Sequence, residues 1–133
     1  MQDSYCNLLL EIFNNGNNEI ICNSKILEEY IRNKYKNNYK YISSTTKRLI
    51  DKNKQLAEIN KDNYHLVVLD YDYNQDFDFL NNIKNKEKCE ILCNPVCKPN
   101  CPFRQEHYKI ISQDQLNYAI TNYFQCPFGD SGK

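Results

Sequence analysis

The chain has 133 residues, 41% of them hydrophobic and 26% charged, enough for one domain with a real core. Seventeen Lys and Arg balance seventeen Asp and Glu, which argues against a polyanion or an anionic membrane as the default partner. No stretch approaches the roughly 20 apolar residues of a membrane helix. Residues Met1 to Cys6 hold an acid and no basic run, unlike a signal peptide, so the expected location is the cytoplasm.

In chain order, Leu8, Leu9, Ile12 and Phe13 predict a helix from Tyr5 to Phe13, stopped by Asn14-Asn15-Gly16-Asn17. Glu19 to Cys22 reads as a strand. Asn23 or Ser24 caps a second helix with Ile26, Leu27, Tyr30 and Ile31 inward. Tyr39 to Ser43 is a second strand, and Thr45 or Thr46 caps a helix carrying Leu49, Ile50, Leu56 and Ile59. Tyr64 to Asp70 is a third strand, whose run Leu66-Val67-Val68-Leu69 suits burial on both faces. Asp76 to Ile83 is a short helix with Phe77, Leu80 and Ile83 inward. Cys89 to Cys93 is a fourth strand, followed by a Cys-rich loop at 93–108 and a helix from about Ser112 to Phe124.

Strands alternating with helices predict an α/β fold with right-handed crossovers and a parallel sheet. Four strand–helix units make about half of a TIM-type barrel, which has eight, or else a small open sheet. The expected organisation is a single α/β domain over 1–128 with a flexible tail at 129–133. Working sites of such sheets lie beyond the carboxyl ends of the strands. Ser43, Ser44, Thr45, Asp70, Asp72 and Asn94 fall there, although polar residues in these loops also serve simply as helix caps.

Seven Cys is a high count for a cytoplasmic chain, and their clustering points to metal or redox chemistry before disulfides. Cys93, Cys97 and Cys101 recur at four-residue intervals, with Pro95, Pro99 and Pro102 between and after them. Proline stiffens the loop and lowers the entropy lost in aiming several thiolates at one point. Cys126-Pro127 repeats the Cys101-Pro102 pair, and Cys-Pro occurs beside ferredoxin ligands. Cys97, Cys101 and Cys126 are therefore the first candidate ligands, with Cys93 an ambiguous fourth. Soft thiolates suit a 4Fe–4S cluster or zinc. The second close pair of a structural zinc site is missing, which favours the cluster, while a metal-free thiol set stays open. Cys6 and Cys89 are expected to be packing residues. Arg104 is a candidate fork for a substrate carboxylate or phosphate, and His107 a candidate proton donor or ligand. His65, at the opposite sheet end, reads as structural.

The stretch Glu90-Ile91-Leu92-Cys93-Asn94-x2-Cys97-x3-Cys101-Pro102-Phe103-Arg104-x2-His107-Tyr108 resembles a signature in some members of the collagenase-like peptidase family and related barrel proteins. Ser43-Ser44-Thr45-Thr46-Lys47 and Val67-Val68-Leu69-Asp70, followed by Asn74 and Phe77, look like its middle repeats. The likeness spans roughly residues 5 to 128. It implies a TIM-like barrel with a cysteine-bound cluster near the substrate mouth, Cys97, Cys101 and Cys126 as ligands, and Asn94, Arg104 and His107 lining the site. Several members of the family are similar to oxygen-independent hydroxylases of RNA bases or quinone precursors. Family members continue beyond the counterpart of Cys126 and start one strand earlier, so a fragment of a longer member is expected.

Three functions follow as expectations. The first is a redox or hydroxylase-type iron–sulfur enzyme, with a small molecule or a peptide as substrate. The second is a peptidase or other hydrolase, for which no G-x-S-x-G or H-E-x-x-H motif is present. The third is a non-catalytic metal-stabilised module, with Lys98, Arg104, Lys109, Phe103, Tyr108 and Tyr123 as charge and stacking groups for RNA. Half a barrel exposes strand edges, so self-association is also expected.

Overall fold

The structure is a computed structural model and describes residues 3–36, 38–95 and 97–118. The chain divides into two compact units, 1–92 and 93–133. The first holds α1 (Ser4–Ile12), β1 (Glu19–Cys22), α2 (Lys25–Tyr35), β2 (Lys40–Ser43), α3 (Lys52–Ile59), β3 (Leu66–Val68), α4 (Phe77–Asn82) and β4 (Cys89–Glu90). Single 3-10 turns stand at Thr45–Lys47, Tyr71–Tyr73 and Lys86–Lys88. The second unit contains α5 (Arg104–Asn117). None of the described helices is long and apolar enough to cross a membrane.

Helix starts follow local chemistry. Asp3, Ser24, Asp51 and Asp76 cap α1 to α4, their side-chain oxygens accepting from the N–H of Cys6, Leu27, Lys54 and Phe79. Gly16, at φ +81°, takes the left-handed turn between α1 and β1 that a residue with a Cβ adopts only at a cost. Asp51→Ala removes the 2.9 Å cap bond to Lys54. It is expected to lower stability by about 1 kcal/mol, read as a shifted urea midpoint with unchanged slope.

The four strands pair in parallel in the order β1-β2-β3-β4. This is the alternating parallel α/β architecture expected from the hydrophobic pattern. In-register partners share a face, so Cys22, Ser43 and Val67 point the same way. That face packs against Ile31 and Tyr35 of α2, Ile59 of α3, and Phe79 and Ile83 at α4 in one core cluster. Every crossover therefore lies on the same side of the sheet. The other face carries Ile21, Ile42, Leu66, Val68 and Glu90.

This one-sidedness corrects several expectations. Val67 and Leu69 are fully buried, whereas Leu66 and Val68 are half-buried, so β3 is not covered equally on both faces. In α2 the inward positions are Glu28, Ile31 and Tyr35; Ile26 and Leu27 are exposed. The buried Glu28 carboxylate is held by Tyr64 and Arg32, and it rotates the helix away from its apolar pair. Leu49 and Ile50 precede α3, because Arg48 in the left-handed region ends the preceding turn and Asp51 starts the helix anew. Phe77 is exposed and Phe79 is buried in its place. β4 is two residues long. Cys6 is exposed rather than packed, whereas Cys89 packs against the core as expected, half-buried with its thiol toward the Asn85 carbonyl at 3.5 Å.

Candidate functional site

The cysteine loop belongs to the second unit. Pro99 presets one dihedral of a turn, and Asn100 follows at φ +55°, a conformation asparagine tolerates. This reversal separates Cys97, half-buried, from Cys101, 6% exposed. Pro102 and Phe103 then lead directly into α5. The helix starts eight residues earlier than expected and covers Arg104 to Asn117, because all three prolines precede it and none interrupts its ladder.

Arg104 is the first residue of α5 and is 1% exposed. Its Nη2 donates to the Lys98 carbonyl at 2.8 Å, and its backbone N–H donates to the Cys101 carbonyl. The guanidinium therefore ties together the segment between the two cysteines and the helix start. His107 is half-buried one turn along, its N–H bonded to the Phe103 carbonyl at 2.9 Å. Cys93 and Asn94 are exposed. Among the described residues no three His, Cys, Asp or Glu gather as a metal site. Cys126, and with it the expected third ligand, lies outside the described residues, as do Tyr123 and the 129–133 tail. The described soft donors of this loop are the thiols of Cys93, Cys97 and Cys101 and the His107 imidazole. That donor set fits a soft metal or an iron–sulfur cluster better than a hard, oxygen-liganded ion.

The first unit holds two polar networks. In one, the Glu58 carboxylate accepts from Ser43 Oγ at 2.6 Å, Lys47 Nζ at 2.8 Å and Lys61 Nζ at 2.5 Å. Lys47 Nζ also donates to the Tyr64 hydroxyl, which donates in turn to Glu28 at 2.8 Å. Arg32 closes the set through Glu28 at 2.8 Å and stacks on the Tyr41 ring, 3.5 Å from its centroid. Glu28, Arg32, Lys47, Glu58, Lys61 and Tyr64 line a cleft of about 400 Å³ between α2 and α3. Burial alone would raise the Glu58 carboxyl, but the hydrogen bonds from Lys47, Lys61 and Ser43 outweigh it and hold it at about 2. Burial, reinforced by the Glu28 carboxylate, drives the Tyr64 hydroxyl far above the usual phenol range. With Glu58 ionised and Tyr64 protonated throughout the neutral range, neither is poised for proton transfer. Ser43 is completely buried and offers no accessible nucleophile.

The second network stands at the carboxyl ends of β2 and β3. Arg48 Nη1 donates to both oxygens of Asp70 at 2.7 and 2.6 Å, and Nη2 donates to Asp72 at 3.0 Å. Asp70 is 1% exposed, and its backbone N–H donates to the buried Gln55 side chain. Burial, with Asp70 and other carboxylates nearby, pushes the Tyr73 hydroxyl up to about 12. The expected polar mouth is thus, at Asp70, a closed ion network. Sequence reasoning missed Glu28, Arg48, Gln55 and Glu58. Only Glu28 carried a signal, as the first member of an i,i+4 pair with Arg32.

Comparison of the chain with protein-family models, curated proteins and solved structures returns no match.

Proposed function

We propose that the chain is an iron–sulfur protein of redox or hydroxylase type, similar to the cluster-binding relatives of the collagenase-like peptidases. Cys97, Cys101 and Cys126 hold the cluster in this reading. The observation that supports it is the buried Arg104 guanidinium bound to the Lys98 carbonyl between two cysteines. The tie joins the segment between the two cysteines to the start of α5, and a loop held in this way loses less ordering entropy when its thiols gather on a metal. Arg104 acts here as a positioning residue, fixing the loop that presents Cys97 and Cys101. When bound, a 4Fe–4S group would supply one-electron chemistry or a Lewis-acidic iron; the chain itself supplies soft ligands and a rigid turn.

Iron, acid-labile sulfide and zinc analysis of protein prepared without oxygen tests the reading. Iron and sulfide in equal amounts are expected, with both lost in Cys97→Ala and Cys101→Ala and both retained in Cys6→Ala, whose thiol lies on exposed α1. Stoichiometric zinc without sulfide, or protein free of metal, would overturn it. Cys126→Ala separates a three-thiol site from a two-thiol one.

A further inference from the structure

The one-sided sheet of the first unit ends in two edges that complement each other. Among the described residues β1 and β4 are the edge strands, and all four strands run parallel. An open parallel sheet with its helices on a single face has the strand order and layer arrangement of half an eight-stranded barrel. At the β1 edge, the side of α1 turned away from α2 exposes Tyr5, Leu8 and Ile12 at 68%, 53% and 60%. Its α2-facing side is identified by Asn7 bonded to Tyr30 and Glu11 bonded to Tyr35. On the helix-free face of β1, Ile21 is 64% exposed, while Ile42 on the neighbouring strand is buried. Apolar exposure thus concentrates where a further strand–helix unit would pack.

Charge follows the same division. Residues 3–22 contain Asp3, Glu11 and Glu19 and no Lys or Arg, whereas residues 84–88 contain Lys84, Lys86 and Lys88 against one Glu. Glu19 begins β1, and the lysines immediately precede β4. Because the strands are parallel, Glu19 and these lysines stand at the same end of the sheet, whereas Glu11 is paired with Lys34 of its own chain. An acidic, apolar first edge therefore matches a basic last edge, strand head to strand head.

We propose that two copies of this chain close about a two-fold axis parallel to the strands into an eight-stranded parallel barrel, β4 of each pairing with β1 of the other. A rotation about that axis preserves strand direction and brings two identical β4–β1 junctions together, so no edge remains open. The partner is a second copy, because one sheet carries both halves of the complementary pair.

Sedimentation velocity of the full chain over a concentration series tests the closure. A discrete two-copy species is expected. Ile21→Lys and Glu19→Lys should each raise its dissociation constant about tenfold or more, with unchanged far-UV circular dichroism. Adding Lys86→Glu to Glu19→Lys should restore association, because Lys86 is exposed and the reversed charges meet again across the junction. Lys86→Glu alone should weaken the dimer as Glu19→Lys does, which keeps the test valid should the β1 variants fail to fold. A monomer at all concentrations, an open-ended series of larger species, or a dimer indifferent to Ile21→Lys and Lys86→Glu would each overturn the proposal.

Discussion

Replacing Asp70 by alanine is expected to destabilise the chain by about 3–5 kcal/mol, a large part of the 5–15 kcal/mol that holds a typical domain folded. Asp70 is fully buried and takes both oxygens to Arg48 Nη1 at 2.7 and 2.6 Å. Removing it leaves a guanidinium whose side chain is 10% exposed with Asp72 as its remaining paired carboxylate at 3.0 Å. The cost comes from stranding a charge in a poorly solvated place, rather than from the worth of the pair itself. Asp70 also accepts from the Asp72 N–H at 3.1 Å and so caps the turn after β3. Asp70→Asn keeps that cap and should cost less than the alanine. Arg48→Met combined with Asp70→Leu removes both charges and should recover much of the loss. Urea unfolding midpoints at constant slope separate these variants. An alanine variant within about 1 kcal/mol of the parent would show that Arg48 swings out to water and that the network is not closed.

Acid is expected to unfold the protein through Glu58. Its carboxyl is held at about 2 in the fold against an ordinary 4.5, because three hydrogen bonds and the Lys47 charge outweigh its burial. A depressed acid contributes stability that is complete above its unfolded pKa and is lost as the pH falls through the folded one. The window is therefore from about pH 4.5 down to about pH 2. Lys61 is half exposed and its contribution is screened, so the loss across this window is about 2–3 kcal/mol. Glu58→Gln should be less stable at pH 7, since Lys47 and Ser43 lose their charged acceptor, and its stability should fall less steeply in acid. The check is the unfolding free energy measured between pH 7 and pH 2 for both proteins. Parallel curves would assign the acid sensitivity to other carboxylates.

The two networks and the cysteine loop do different work. In the first unit, opposite charges are paired at short range on a completed scaffold, which fixes how α2, α3 and the loop after β2 sit on the sheet. In the second, the buried Arg104 is tied to the Lys98 carbonyl, which fixes the cysteine loop against the start of α5. The proposed cluster chemistry belongs to the loop, whereas Glu58 and Tyr64 in the α2–α3 cleft are not poised for proton transfer.

Alternation of apolar runs with capped helical segments was enough to determine the parallel α/β class and to locate β1, β2 and the start of α2, because these depend on local periodicity and caps such as Ser24. The same local reading singled out Cys97, Cys101 and the turn-forming Pro99, since proline and thiol chemistry are properties of the residues themselves. Tertiary structure alone decided which helical faces turn inward: Glu28 and Phe79 are buried while Ile26 and Phe77 are exposed. It also decided that every helix of the first unit lies on one side of the sheet and that Arg48 closes over Asp70. The physical reason is that a buried charge is tolerated only where partners meet it, and several of these partners come from distant segments. Tyr64 meeting Glu28, Lys47 meeting Glu58 and Arg48 meeting Asp70 are separated by 36, 11 and 22 residues of chain, beyond the reach of any local pattern.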